Sequence, residues 1–333
     1  MHSPSERAFA ANADARSWRS SPLHDPARDW PQTNCYVDLW IEALHARGMQ
    51  PEAMLGFTAT LDFEGDQFTF FKPPLEDIET LYGFAVRELA LYDDTANHIA
   101  EQVARARLVM IEADAFFLPD TRGVSYGLEH SKTTIGVNRI DPVARTIDYF
   151  HNDGFFRAHG ADYDGLIAFG AEKGRQTLPP YAEIVKADFS GLAPDALRRT
   201  ARAQFARHLA RMPQRNPVEA FAHRLSWLMD RIGVREPEFF HKFAFNTLRQ
   251  LGANFELMSS FLTYIGEGDE FAREVETCKA ISAGAKSFQF LLARAIMRRK
   301  AVGLDASLAA LCEAHDALSS GLAQRDGMVR LAS

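Results

Sequence analysis

The chain has 333 residues, 47% hydrophobic and 24% charged, which is long for one ordinary domain and excludes wholesale disorder, collagen-like repetition and a disulfide-stapled miniprotein. Its net charge of −7 divides unevenly, −12 over residues 1–190 and +5 over residues 191–333, which argues against nucleic acid and for a negatively charged partner of the second half. No run approaches the roughly 18 apolar residues of a membrane span, residues 1–30 lack a secretory apolar stretch, and three widely spaced cysteines (Cys35, Cys278, Cys312) fit a reducing compartment, so a cytoplasmic location is expected, with no membrane association.

Residues 1–30, rich in Ser, Arg, Asp, Ala and Pro without an apolar period, read as a flexible lead-in. Val37, Trp40, Ile41 and Leu44 then recur at helical spacing, and Gly48 supplies a stop, so an amphipathic helix begins at Cys35. Strand-like runs follow at 56–61 and 67–72. Pro73-Pro74 opens a helix through Leu75, Ile78, Leu81, Tyr82 and Val86, and another spans roughly 95–105. A buried strand is expected at 108–111, then an antiparallel hairpin of 133–140 and 145–151 around Asp141-Pro142. Beyond residue 190 strand signals vanish, and helical periods run over 194–209, 217–232, 237–265, 270–301 and 305–323. The expected organisation is therefore a lead-in over 1–30, an α+β domain over 31–190 and an all-α domain over 191–333.

The stretch Gln32-Thr33-Asn34-Cys35-Tyr36 places a thiol where a loop becomes a helix. Unpaired N–H groups and the helix dipole stabilise an anion there, which favours a thiolate and offers an oxyanion site. The bland reading is a small core residue. A thiolate nucleophile needs a base and a group that orients it, and His130, just before a strand, is followed by Asp148, His151, Asn152 and Asp153 at the end of the next. The order Cys-helix, His-strand, Asn/Asp-strand is that of papain-like enzymes. Strand alternation puts Asp148 and Asn152 on one face and Tyr149 and His151 on the other, so the preferred orienter of His130 is Asn152, then Asp148, then Asp153. His151 is the alternative base. Glu112 and Asp114 are taken as structural partners of Lys132 or Arg122.

Several blocks then carry a resemblance: Thr33-Asn34-Cys35-Tyr36-Val37-Asp38-Leu39-Trp40, Asp62-Phe63-Glu64-Gly65-Asp66-Gln67, Leu118-Pro119-Asp120-Thr121, His130-Ser131-Lys132-Thr133-Thr134-Ile135 and Tyr149-Phe150-His151-Asn152. From about Trp30 onward the chain resembles the bacterial domain-of-unknown-function 1839 family, itself distantly similar to the papain-like acyltransferase of butirosin biosynthesis, which moves an aminoacyl group from a carrier-protein thioester to an amine. The resemblance implies Cys35 as nucleophile and His130 as base and leaves the third member open. Related families also include hydrolases.

Asp62, Glu64, Asp66 and Gln67 are candidates for binding a cationic substrate group, against the alternative of a solvated turn around Gly65. Gln32 and Asn34 are candidate oxyanion donors. Arg198, Arg202, Arg207 and Arg211 on one helix, with Arg298-Arg299-Lys300, offer a basic face for an acidic acyl carrier protein and its phosphopantetheine, unless they are merely a solvated face. The expectation is a papain-like cysteine acyltransferase that uses a Cys35 acyl-enzyme and passes an acyl group, aminoacyl by preference, to a small-molecule amine or hydroxyl acceptor. The chain itself binds no cofactor or metal in this reading, since neither CxxC nor HExxH occurs. The alternatives are a papain-like amide or thioester hydrolase and a catalytically silent binding module of a biosynthetic complex.

Overall fold

The structure, a computed structural model, describes residues 8–167, 179–187, 191–236, 238–298 and 303–332. It is α+β, with an open antiparallel sheet of six strands and a helical C-terminal region. The elements in chain order are α1 (Cys35–His45), α2 (Leu75–Tyr82), β1 (Ala85–Leu89), α3 (Thr95–Val103), β2 (Leu108–Asp114), β3 (Lys132–Asp141), β4 (Thr146–His151), β5 (Gly154–His159), α4 (Ala161–Ile167) and β6 (Ala182–Lys186). The helices α5 (Pro194–Leu209), α6 (Pro217–Gly233), α7 (Glu238–Ala244), α8 (Gln250–Ile265), α9 (Ala272–Arg298) and α10 (Leu304–Ala332) complete the chain.

Helix α1 starts at Cys35 because Asn34 adopts an extended conformation and its side-chain oxygen accepts the Val37 N–H at 3.1 Å, closing one of the first-turn donors. Nearly its whole length is buried. The sheet order is β1-β6-β2-β3-β4-β5, and every neighbouring pair is antiparallel. The expected β3–β4 hairpin is present, with Asp141 opposite Thr146. One sheet face carries Ile111, Ile135, Val137 and Tyr149, which pack with Ile99 and Val103 of α3 into a buried core. The other receives α1 at a point where the strand offers no side chain: a Cβ on Gly136 would stand 3.2 Å from Leu39. Glycine there lets helix backbone and sheet approach closely.

Several expectations are corrected. Residues 56–61 are not a strand but the end of a 3₁₀ run over Pro51–Thr60, in which the hydroxyls of Thr58 and Thr60 donate back to the carbonyls of Leu55 and Phe57. Phe57-Thr58-Ala59-Thr60-Leu61 alternates apolar and polar residues, a strand pattern that packing and the two threonine back-bonds override. Residues 67–72 contribute only the isolated bridge between Phe63 and Phe68. The expected helix over 237–265 is broken by a π-turn, Phe245–Arg249, between α7 and α8. The lead-in, expected to be flexible, is packed from Ala8 onward. Phe9 is 2% exposed, and Asn138 pairs with the backbone of Ala10 in both directions at 2.9 and 3.0 Å. His24 lies between Asp38 and Glu42 of α1, and Trp18 and Ser21 donate to the same Glu42. A polar segment without helical or strand period was held to the core by side-chain hydrogen bonds, a signal that periodicity does not carry.

The chain forms two compact units. One comprises Met1–His24, Asn34–Pro51 and Leu75–Leu192; the other comprises Asp25–Thr33, Glu52–Pro74 and Ala193–Ser333. Two segments upstream of residue 190 thus belong with the helices. Within that second unit the Trp30 indole covers Gly252, and Phe63 and Phe68 pack against Phe221.

Candidate active site

Cys35 is the first residue of α1 and is half-buried. Asn34 caps Val37, the Asp38 N–H is taken by the Asn34 carbonyl, and among the described residues the N–H and thiol of Cys35 make no hydrogen bond. Asn34, a candidate oxyanion donor, therefore acts as the helix cap. Gln32 falls in the other compact unit, where its carbonyl and that of Thr33 accept from the Arg249 guanidinium at 2.8 and 3.1 Å.

His130 stands ahead of β3 with its side chain 69% exposed. Its Nδ1 lies 2.5 Å from Asp114 Oδ2, and its ring stacks on Phe116 at 4.3 Å and 12°. Asp114 is fixed in turn: its other oxygen accepts the N–H groups of Phe116 and Ser131. An imidazole held through Nδ1 by a positioned carboxylate presents Nε2 outward, the arrangement of a general base. Asp114, rather than Asn152, Asp148 or Asp153, thus holds His130; of Glu112 and Asp114, both expected to partner Lys132 or Arg122, Glu112 does pair with Lys132, at 2.9 Å. The missing signal was the strand register. Asp114 lies opposite Lys132, two residues from His130, and that neighbourhood exists only once β2 and β3 pair.

Strand alternation places this pair relative to α1. Gly136, Met110 and Glu183 form one row across β3, β2 and β6, and they share a face because register partners in antiparallel strands do. Leu39 covers that row at Gly136, and the Tyr36 hydroxyl donates to Glu183 at 3.0 Å. The N-terminal turn of α1 therefore lies on this face, and Asp114, four residues along β2 from Met110, belongs to it too. Burial and the Glu183 carboxylate push the Tyr36 phenol up, so it remains a neutral donor.

The other candidates go elsewhere. His151 is 1% exposed on the opposite face: Nδ1 lies 2.6 Å from Asp120, Nε2 lies 2.8 Å from the Thr133 hydroxyl, and Tyr149 donates to the same Asp120. With both ring nitrogens engaged in the core, it is a structural histidine. Asp148, buried, forms a two-pronged ion pair with Arg157 at 2.6 and 2.8 Å. Asn152 and Asp153 make the β4–β5 turn, Asn152 at φ 44°, in the left-handed region that Asn tolerates, and the Asp153 carbonyl accepts the Ser20 hydroxyl. None of the three orients His130.

Asp62, Glu64, Asp66 and Gln67 lie in the helical unit rather than with Cys35. Asp62 accepts its neighbour's N–H, Glu64 accepts the Thr69 hydroxyl at 2.9 Å, and Gly65 turns at φ 95°, so this block is chiefly turn chemistry. On α5, Arg202 grips Glu270 through both nitrogens and Arg198 approaches Asp195 at 3.7 Å, while Arg207 and Arg211 are exposed. Arg299 and Lys300 lie outside the described residues. Cys278 is fully buried, and burial pushes its thiol up, away from thiolate chemistry. Among the described residues no group of His, Cys, Asp and Glu is arranged to hold a metal ion, and no helix is long and apolar enough to cross a membrane.

An α+β unit with a helix-borne cysteine and a carboxylate-held histidine on one sheet face, followed by a helical region, defines the class. The chain matches the DUF1839 N-terminal domain over residues 19–187 and the DUF1839 C-terminal domain over residues 194–324, and it belongs to that family. No curated protein matches it.

Proposed function

We propose that the N-terminal unit is a papain-like cysteine acyltransferase, with Cys35 as nucleophile, His130 as general base and Asp114 as the residue that positions His130. The observation that supports it most is the exposed His130 imidazole locked to Asp114, rooted on the sheet face that carries the N-terminus of α1. Sγ of Cys35 attacks the carbonyl carbon of an acyl thioester while Nε2 of His130 takes the thiol proton. The tetrahedral oxyanion draws on the unpaired N–H of Cys35 and the positive end of α1. Collapse breaks the bond to the leaving thiol, which His130 protonates, and leaves an acyl-Cys35 thioester. An amine or hydroxyl acceptor then attacks, His130 takes its proton, and Sγ departs. This mechanism requires that Sγ of Cys35 and Nε2 of His130, which share no hydrogen bond in the free chain, come within reach in the substrate complex, as in many active sites that tighten only in their complexes.

The leaving thiol we assign is the phosphopantetheine of an acidic acyl carrier protein, which the exposed Arg198, Arg207 and Arg211 would attract; Arg202, held by Glu270, leaves that set. The second reading is hydrolysis of the same acyl-enzyme, favoured by the open position of His130, which admits water.

Incubating the chain with aminoacyl-loaded carrier protein and measuring its intact mass is the direct test. The expected result is an acyl adduct on Cys35, absent in Cys35→Ala, with activity lower by orders of magnitude in that variant. No adduct, or an adduct on Cys278 or Cys312, overturns the proposal. Release of the free acid rather than an acceptor conjugate selects the hydrolase.

A further inference from the structure

We propose that the C-terminal helical unit carries a ligand site of its own, a small cavity beside α6 and α7 that takes a short-chain α-amino acid as its zwitterion. The cavity has a volume of about 150 Å³, suited to a small ligand only, and its walls combine apolar Leu228, Phe239 and Phe243 with Asp66 and Arg231. These two charges are what point to the ligand. Among the described residues neither Asp66 nor Arg231 has an ion-pair partner, and they form no ion pair with each other although they line one space. A separated anion and cation over an apolar floor complement an ammonium and a carboxylate carried on one carbon, with a hydrocarbon side chain beneath.

Both charges are also held in place. The Arg231 guanidinium stacks on Trp227 at 4.7 Å, and Arg224 covers the same indole at 4.1 Å. Arg224 in turn donates to the Gly65 carbonyl at 3.2 Å, tying the turn that carries Asp66 to α6, and the Phe68 N–H donates to the Asn246 carbonyl. Asn246, which also lines the cavity, lies within the π-turn Phe245–Arg249 between α7 and α8; such single-turn widenings recur at functional sites. Lys242 adds positive charge to the same wall. Of the four residues first assigned to a cationic substrate group, Asp66 keeps that role here, in a different pocket and toward a ligand that also carries a negative charge.

Calorimetric titration of the full chain with L-valine, isovalerate and isobutylamine tests this. Saturable binding of L-valine is expected, with each single-charge analogue at least tenfold weaker. Arg231→Met and Asp66→Asn should each weaken L-valine at least tenfold at unchanged melting temperature, and Arg231→Lys should recover part of the loss. Absence of L-valine binding overturns the proposal, as does wild-type affinity in Asp66→Asn, whose site is an exposed turn that tolerates the change. An analogue binding as tightly as L-valine also overturns it, because the site is then for an anion or a cation alone. Cys35→Ala must bind like the wild type, so failure here and failure of the acyl-transfer reading are separable.

Discussion

Asp114 and Asp148 are both partly or wholly buried aspartates at strand positions, yet their partners assign them different work. Asp114 holds an imidazole that is otherwise open to solvent; Asp148 is closed off by Arg157, with Arg139 at 3.7 Å. Asp114→Asn should therefore keep the fold, remove the carboxylate that fixes the tautomer and stabilises the imidazolium, and lower kcat by about 10²–10⁴-fold with an altered pH–rate profile. Asp148→Asn should do the reverse, weakening a buried ion pair and lowering the melting temperature while the surviving folded protein keeps the kcat of the proposed reaction. Steady-state kinetics beside thermal denaturation separates the two, and equal loss of kcat in both variants contradicts the assignment. At this scale the start of α1 at Cys35 and the place of His130 just ahead of β3 were legible from residue types and local setting. The part played by Asp114 was not legible, because what makes it an orienter is a register between strands 18 residues apart, and alternation counted along β4 pointed to Asn152, which a tight turn withdraws.

The elements that were read well from the sequence have strong local signals. α1 has a cap, a period and a glycine stop; the β3–β4 hairpin has alternation on both sides of Asp141-Pro142. The 3₁₀ run at Pro51–Thr60 and the π-turn at Phe245–Arg249 depart by one residue from the i→i+4 bond, a choice made by packing rather than by residue preference. The edge strands β1 and β5 are short, five and six residues, and gain their pairing only from neighbours. The junction of α1 with the sheet is the element contact on which the proposed chemistry depends. Gly136→Ala places a methyl 3.2 to 3.3 Å from three carbons of Leu39, tighter than ordinary packing, so α1 must lift or Leu39 must leave its rotamer. The expected cost is about 1–3 kcal/mol in denaturant unfolding, with a larger fractional loss of Cys35 acylation than of folded protein. Acylation that falls only in step with the folded fraction would show that the seating of α1 does not set the position of the thiol.

At the scale of the whole molecule, each unit holds a buried histidine whose titration burial and its neighbours displace, His24 in the first and His315 in the second, and these two respond to pH in opposite directions. In the first, burial opposes charge on His24, but the carboxylates of Asp38 and Glu42 outweigh it and lift the imidazole to about 9. The folded unit thus binds a proton that the unfolded chain, near 6.5, releases sooner; the stabilisation is complete below about 6.5 and is lost as pH rises through about 9. In the second, burial against Phe255 drives His315 down to about 4, with Asp316 opposing. There the unfolded chain takes up a proton that the folded unit refuses, so stability is lost as pH falls from about 6.5 toward 4. Each effect is on the order of 3 kcal/mol at roughly 1.4 kcal/mol per pH unit. Because His24 ties the lead-in to α1, the alkaline loss should appear as faster amide exchange in residues 8–24 and α1, and the acid loss in α8 and α10. Hydrogen exchange of the full chain at pH 5, 7 and 9 reads both. His24→Gln should flatten the alkaline limb alone and His315→Gln the acid limb alone. If either substitution flattens both limbs, the two units do not respond to pH independently, and the assignment of one histidine to each limb fails.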